Sequence, residues 1–239
     1  MNVLLIQIRQ PSDMMASHEQ ACLERRAEGL KVRWKVRNVF AEEPRKEWLE
    51  GVSAMIVGGS GSYSVHDARS ASWVGPLRDV METALATALP SFGICFGHQL
   101  LGFHLGAQVR TKPELSEVGT IPLDATAAGL NDPVFGALGG SYCAHTGHSD
   151  SVIGIPTCVE LLARSKTLET QVFKVKDVPF YSTQFHPDIS GAEARLRYDA
   201  YQSTLVKSVP EARPQETARY RVGEDASNAL IARFLKLAS

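Results

Sequence analysis

Cys95 is distinguished by the residues on either side of it. It lies between Gly93 and Gly97 in the stretch LPSFGICFGHQLLGFHLGAQV, residues 89–109, where a short apolar run meets a helix-like pattern. A tight turn from strand to helix would bring residues two positions before and after the cysteine into collision unless both are glycine. Such a turn holds the side chain exposed on strained backbone, and the N-terminal amides of the helix favour its thiolate form. The alternative is a cysteine that only packs in the core.

A thiol nucleophile needs a base, and His186 is the best candidate among the seven histidines. It ends a predicted strand in PFYSTQFHPDIS, at the edge where parallel strands present ligand-binding groups. Asp188 lies two residues further on, so in an extended segment its carboxylate can orient the imidazole. With the backbone amide of Phe96 as an oxyanion donor, these residues predict acyl transfer. The alternative is a surface histidine beside a turn-forming Pro-Asp pair.

The composition is that of an ordinary globular protein and argues against two classes of partner. Of the 239 residues, 44% are hydrophobic and 21% are charged. The 25 Lys and Arg residues nearly balance the 26 Asp and Glu residues, so no strong field points to nucleic acid or to an anionic membrane. We expect neither a membrane span nor a signal peptide, because the apolar runs are too short. The four cysteines form no CxxC pair, which is typical of the cytoplasm.

Short apolar runs alternate with longer amphipathic runs along the first half of the chain. This order predicts an α/β fold, with a mostly parallel central sheet flanked by helices. We interpret residues 1–239 as a single domain, with a core over about 1–190 and C-terminal helices over about 191–239. The predicted strands are 2–8, 31–39, 53–59, 91–95 and the segments EVGTIPLD, SYCAHT, CVELLARS, TQVFKV and PFYSTQF, and the predicted helices are 15–29, 73–88, 97–106, 191–207 and 215–237.

Five short segments, in chain order, carry a resemblance to a known family. They are Gly58-Gly59-Ser60-Gly61-Ser62 after a buried strand, GICFGHQ with Cys95 and Gln99, Glu117-Val118-Gly119, HSDSVIGIP from His148, and His186-Pro187-Asp188. They resemble the G-G-P-G-S oxyanion strand, the G-x-C-x-G-x-Q elbow, the E-x-G strand entry, the H-x-D-x-V-x-x-L-P segment and the H-P-E motif of the class I glutamine amidotransferases. The resemblance covers about residues 3–190 and implies a flavodoxin-like fold. Stand-alone members of the GMP-synthase type and γ-glutamyl peptidases are the most similar in pattern.

The resemblance implies hydrolysis of glutamine, or of a γ-glutamyl amide, through a thioester on Cys95. It implies that His186 transfers the protons and that Asp188 orients His186. The backbone amides of Gly59 and Phe96 would hold the oxyanion. The products would be glutamate and either ammonia or an amine.

The resemblance also implies that Gln99 and His148 bind the substrate, and it implies neither a cofactor nor a metal. Two positions depart from the family pattern. Asp188 stands where the family has glutamate and is one methylene shorter, but aspartate orients histidine in other triads, so we expect activity. Ser60 stands where the family has proline, which removes a φ restraint from the oxyanion loop.

The sequence leaves the physiological partner open. It contains no G-x-x-x-x-G-K-[ST] phosphate loop, so we expect no fused synthetase module. Either a separate synthetase receives the ammonia, or the chain is a free-standing hydrolase. The alternative function is a catalytically weak or inactive subunit that binds or regulates a synthetase. The C-terminal helices either cover the sheet or form a partner or homodimer surface.

Two further groups of residues have competing interpretations. The C-x-H-x-x-H segment at 143–148 contains ligand types that zinc accepts, but a fourth ligand is not evident, so a metal site is the weaker hypothesis. Asp67, Arg69 and Trp73 follow the oxyanion loop. They either border the acyl pocket or form a solvated loop and a packing contact of the next helix.

Overall fold

The structure is a computed structural model that describes residues 1–208, 220, 221, 223 and 225–239, and for 202–208 it describes the backbone alone. Its strands are β1 (Asn2–Ile8), β2 (Arg33–Asn38), β3 (Ala54–Ser60), β4 (Ser91–Ile94), β5 (Gln108–Thr111), β6 (Glu117–Ala125), β7 (Ser141–His148), β8 (Asp150–Ile153), β9 (Val159–Arg164), β10 (Val172–Val175) and β11 (Phe180–Thr183). Its α-helices are α1 (Met15–Arg26), α2 (Ala71–Ala86), α3 (Phe96–His104), α4 (Ala127–Asn131), α5 (Gly191–Ser208) and α6 (Leu230–Leu237).

One large sheet organises the described part of the chain. Nine strands lie in the order β2-β1-β3-β4-β11-β10-β9-β6-β7, and β5 pairs with β8 in a separate ribbon. From β2 to β11 the neighbours are parallel, whereas from β11 to β7 they are antiparallel. The predicted α/β fold is confirmed, and the parallel strands form the half of the sheet that positions the site.

The central strands are apolar on both faces because helices cover both sides of the sheet. Residues 3–6 of β1 are fully buried. On one side, Leu23 of α1 and Phe234 of α6 join the core, and on the other side Leu77 of α2 and Leu100 of α3 join it. The strand β2, which alternates apolar and basic residues, lies at the sheet edge as its pattern predicts.

Several predicted boundaries differ from the structure. The first helix ends at Arg26 and not at Gly29, which instead adopts φ 84° in the turn that follows. The predicted helix 215–237 is only partly right in its described part: residues 226–229 form a 3-10 helix, α6 begins at Leu230, and residues 220, 221, 223 and 225 are not helical. Residues 215–219, 222 and 224 of that prediction lie outside the described residues. The short elements β5, β8 and α4 were not predicted, because four or five residues are too few to show a period.

The topology brings three loops to one edge of the sheet. Strands β3, β4 and β11 are neighbours and run parallel, so their carboxyl ends lie side by side. The loops that follow them contain the predicted oxyanion loop, the turn at Cys95 and the segment with His186.

Among the described residues, no helix combines the length and the apolar character needed to span a membrane.

Candidate active site

The backbone around Cys95 forms the sharp turn that the flanking glycines predict. Cys95 lies between β4 and α3 with φ 52° and ψ −96°, a conformation that residues with side chains rarely adopt. A Cβ at Gly93 would lie 2.7 Å from the carbonyl carbon and oxygen of Gly97. A Cβ at Gly97 would lie 2.4 Å from the carbonyl oxygen of Val57 in β3. The turn therefore excludes side chains at both glycine positions.

We expect Gly97→Ala to destabilise the fold, because the added methyl group would meet the backbone of β3, which cannot rotate away. The expected loss is about 1–3 kcal/mol in the free energy of unfolding, measured by urea denaturation. Gly75→Ala is the matched control: nothing lies within 4 Å of its added Cβ. Gly75 is an exposed position of α2 directly before Pro76, so alanine there should change the stability by less than about 0.5 kcal/mol. Equal stability of Gly97→Ala and the wild type would contradict the tight turn.

His186 and Asp188 form a hydrogen-bonded pair in the loop after β11. His186 Nδ1 lies 3.1 Å from Asp188 Oδ1. Asp188 is 1% exposed, and its second oxygen accepts a hydrogen bond from Arg197 Nη1 at 2.9 Å. The backbone amide of His186 donates to the carbonyl of His145 in β7 at 2.8 Å, which ties the loop to the sheet. Asp188 therefore holds the imidazole at Nδ1, and the backbone bond holds the loop that carries it.

The side chains of Cys95 and His186 converge at Gly59, near the end of β3. A Cβ built on Gly59 would lie 3.6 Å from Cys95 Cβ, 3.0 Å from His186 Cε1 and 3.7 Å from His186 Nε2. Both side chains also line the same cavity. The structure therefore brings the predicted nucleophile and the predicted base together, and any side chain at Gly59 would intrude on them.

The predicted oxyanion donors, the backbone amides of Gly59 and Phe96, both lie at this point. Phe96 is the first residue of α3, directly after Cys95, and its backbone amide lowers the pKa of the Cys95 thiol. In the loop after Gly59, Ser60 Oγ donates to the carbonyl of Tyr63 at 2.7 Å, so the serine stabilises the loop in place of the family proline. The role of the two amides in holding an oxyanion stays a prediction.

Burial determines the resting protonation of the candidate nucleophile and base. Burial raises the pKa of the Cys95 thiol to about 12, with a smaller rise from the Asp188 carboxylate. The Phe96 amide at the helix N-terminus does lower this pKa, as expected, but by less than burial raises it. Burial also lowers the pKa of His186, against the opposing effect of Asp188. Both groups are neutral at pH 7, so the proton must leave the sulfur during its attack.

A cavity of about 530 Å³ contains the two groups and reaches the predicted substrate-binding residues. Gln99 and His148 both line it. Gln99 Nε2 donates to the carbonyl of Asp150 at 2.9 Å, and His148 Nε2 lies 3.3 Å from Glu117 Oε2. Because neighbouring groups hold both side chains, they form a rigid part of the cavity wall.

The three residues after the oxyanion loop separate into two roles. Asp67 and Arg69 pair with each other and line the cavity. Trp73 is 3% exposed and packs on the ring of Phe96 with centroids 5.6 Å apart. The packing interpretation therefore holds for Trp73, and the pocket interpretation holds for the other two.

The side chains of the C-x-H-x-x-H segment have separate partners. Cys143 Sγ lies 3.4 Å from Arg221 Nη1, and His145 Nε2 lies 3.2 Å from Asp225 Oδ2. Along β7, positions 143 and 148 alternate to opposite faces of the sheet. In the described part of the chain, no three His, Cys, Asp or Glu side chains are grouped to hold a metal ion.

Sequence reasoning missed two residues beside the candidate triad. Gln184 Nε2 lies 3.7 Å from Cys95 Sγ, and Arg197 reaches Asp188 from α5. Gln184 carries a usable signal, since it lies two residues before His186 and alternation in an extended segment would direct both to one side. The sequence gives no such signal for Arg197, because the position of its side chain depends on how α5 packs against the loop.

The comparisons with known proteins agree with this geometry. Residues 13–199 match the family model described as glutamine amidotransferase class-I. The glutamine-hydrolyzing GMP synthase subunit of Sulfurisphaera tokodaii is 32% identical over 155 residues, which are 65% of this chain and 77% of that protein. The protein of the same name from Methanococcus vannielii is 34% identical over 110 residues, which are 46% of this chain and only 56% of that protein.

A solved structure adds evidence on the fold. A glutamine amidotransferase from Thermotoga maritima superposes with a TM-score of 0.70 at 20% identity, covering 99% of this chain and 97% of that one. The family model extends from before α1 into α5 and includes Cys95, His186 and Asp188. The chain therefore belongs to the class-I glutamine amidotransferase family.

Proposed function

We propose that this chain hydrolyses the γ-amide of glutamine or of a γ-glutamyl compound through a thioester on Cys95. The observation that carries the proposal is the convergence of Cys95 and His186 at Gly59, inside a cavity at the carboxyl edge of the parallel strands. A thiol, a base with a carboxylate partner and a backbone donor at the sulfur are what acyl transfer requires. Membership of the family supports the same cysteine-hydrolase chemistry.

The proposed reaction has two halves. His186 Nε2 takes the thiol proton while the sulfur of Cys95 attacks the γ-carbonyl carbon, and the amides of Gly59 and Phe96 hold the oxyanion. The imidazolium, stabilised by Asp188, then gives its proton to the leaving nitrogen as the C–N bond breaks. Water attacks the thioester with His186 as the base, which releases glutamate and restores the thiol.

Within this chemistry we favour a γ-glutamyl amide that is larger than glutamine. The cavity of about 530 Å³ falls in the range of about 300–1,000 Å³ for drug-sized ligands, which exceeds the needs of one free amino acid. Tyr198 and Tyr201 of α5, together with Tyr220, contribute an aromatic part of its lining. Gln99 and His148 come from other elements, α3 and β7, and supply a polar part for the glutamyl group.

A substrate screen tests the proposal. Free glutamine and a set of γ-glutamyl dipeptides are compared by released glutamate, with Cys95→Ser as the background control. We expect kcat/KM for the best dipeptide to exceed that for glutamine by about 10-fold or more. Glutamine as the only substrate would overturn the preference, and no hydrolysis of any compound would overturn the function.

The second candidate is a glutaminase subunit that supplies ammonia to a separate synthetase. The names of the relatives, which describe glutamine-hydrolyzing subunits of GMP synthase, favour it. A neighbouring gene for an ATP-dependent ligase, whose product accelerates glutamine hydrolysis by this chain, would establish it. An inactive regulatory subunit remains the alternative function, and covalent labelling of Cys95 by a glutamine-like electrophile tests it.

The location and the oligomeric state belong to the same proposal. We place the enzyme in the cytoplasm, since all four cysteines lie in the described residues and are free. A homodimer and the single-domain organisation stay predictions. Size-exclusion chromatography with light scattering would decide the oligomeric state.

A further inference from the structure

Arg197 of α5 contacts both the carboxylate and the imidazole of the candidate triad. Its Nη1 lies 2.9 Å from Asp188 Oδ2 and 3.1 Å from His186 Nδ1. The arginine side chain is 8% exposed and that of Asp188 is 1% exposed, so the contact is shielded from water. Charge-assisted hydrogen bonds between buried groups of this kind are strong and directional.

The guanidinium occupies a site that is costly for a charged side chain. Its Nε and Nη2 are buried and find no hydrogen-bond partner among the described residues. The positive charge of a second buried arginine, Arg9, repels the guanidinium of Arg197, although Arg9 is itself paired with Glu19 at 3.0 Å. An apolar side chain would fill such a place without this desolvation cost, so packing alone does not account for an arginine.

The contact gives each oxygen of the Asp188 carboxylate one partner. Oδ1 faces His186 Nδ1 at 3.1 Å, while Oδ2 faces Arg197. If the proton were on Nε2, Nδ1 would accept a hydrogen bond from Arg197 and the buried Oδ1 of Asp188 would lose its donor. If the proton is on Nδ1, Oδ1 keeps its donor and only one N–H of the guanidinium is unused, which costs less. The favoured arrangement therefore has the proton on Nδ1 and leaves Nε2 as the acceptor.

We propose that Arg197 is a positioning residue of the acyl-transfer site, which fixes the Asp188 carboxylate and thereby holds His186 in the tautomer that can take the Cys95 proton. This inference rests on the proposed function. It explains how the shorter aspartate serves at this position, since the far oxygen is anchored and the near oxygen cannot rotate away from the imidazole.

The charge of Arg197 also bears on the titration of His186. Burial lowers the pKa of His186 most, Asp188 raises it, and Arg197 lowers it further. The charged and titratable groups around the imidazole are Asp188 in its own loop, Arg197 on α5, Arg9 just after β1, Cys95 at the turn before α3 and His145 on β7. Glu193 on α5 and His18, Glu19 and Arg26 on α1 act on or contact these groups in turn. Of these, Asp188 and Arg197 contact Nδ1 itself.

The two contacts predict pH shifts of opposite sign. Arg197→Gln removes a positive charge, so the pKa of His186 rises and the acid limb of the kcat/KM profile moves to higher pH. Asp188→Asn removes a negative charge, so the same limb moves to lower pH. A residue with a merely structural role would lower the rate without moving the limb.

The experiment compares Arg197→Gln and Arg197→Lys with Arg195→Gln, which changes an exposed arginine of the same helix. For Arg197→Gln we expect kcat to fall about 10²-fold, KM to stay nearly constant and the acid limb to shift upwards. In Arg197→Lys, kcat should recover in part and the acid limb should return to its wild-type pH. Arg195→Gln should have the kcat and the pH profile of the wild type. Wild-type kcat and pH profile in Arg197→Gln would overturn the inference.

A second measurement does not depend on activity or on the folding of the glutamine variant. The tautomer of His186 in the wild-type protein is read from its ring ¹⁵N chemical shifts. A proton on Nδ1 supports the inference, and a proton on Nε2 overturns it. If the wild type shows the expected tautomer but hydrolyses no γ-glutamyl compound, the proposed function fails while the positioning contact stands.

Discussion

Cys95→Ser is expected to lower the turnover of the best γ-glutamyl substrate by about 10⁴-fold or more, while the protein folds as the wild type does. Serine is close in size to cysteine and fits the turn at φ 52°, so the glycine contacts of the elbow are unchanged. Its hydroxyl is a much weaker acid than a thiol, and burial keeps the imidazole of His186 a weak base. The measurement is glutamate release, with thermal unfolding as the check on folding.

Cys158→Ser is the matched control for this result. Cys158 is exposed, so its replacement should leave kcat and KM unchanged. Activity of Cys95→Ser above about 1% of the wild type would show that another group is the nucleophile.

His186→Ala should have the second largest effect, and Asp188→Asn should have a smaller one. Removal of the imidazole deletes both proton transfers, and we expect a loss of about 10⁴-fold in kcat, at the upper end for general acid–base catalysis. Asp188→Asn leaves the imidazole in place but weakens its orientation and its positive form, so we expect about 10²-fold. Steady-state kinetics over a range of pH measure both losses.

The relative loss of kcat in His186→Ala and Asp188→Asn tests whether His186 is the base. Because the thiol is neutral at rest, no preformed thiolate can rescue the reaction when His186 is absent. A loss in His186→Ala no larger than that in Asp188→Asn would contradict the role of the histidine as the base. Full activity in Asp188→Ala would remove the aspartate from the triad.

The parts of the site that depend on local sequence could be predicted. The glycines around Cys95 indicate a turn that only glycine permits, and the order of strands and helices predicts that this turn lies at the carboxyl edge of the sheet. His186 follows its own strand, so the parallel pairing of β4 and β11 brings it to the same edge.

The parts that depend on packing between distant segments could not be predicted. Arg197 reaches Asp188 only because α5 returns over the loop, and no local pattern shows that return. The helix N-terminus that favours the thiolate is visible in the sequence, whereas the burial that opposes it depends on residues from other elements. The last predicted helix begins later than its pattern suggests, since residues 226–229 form a 3-10 helix capped by Asp225 and the α-helix begins only at Leu230.

The most direct test of the account is the reaction of the protein with a chloroketone analogue of glutamine, followed by intact mass. A Cys158→Ser background removes the exposed thiol. The account predicts one adduct that is lost in Cys95→Ala and forms about 10²-fold more slowly in His186→Ala. An unlabelled parent protein, or equal labelling of Cys95→Ala, would contradict the claim that His186 activates a nucleophilic Cys95.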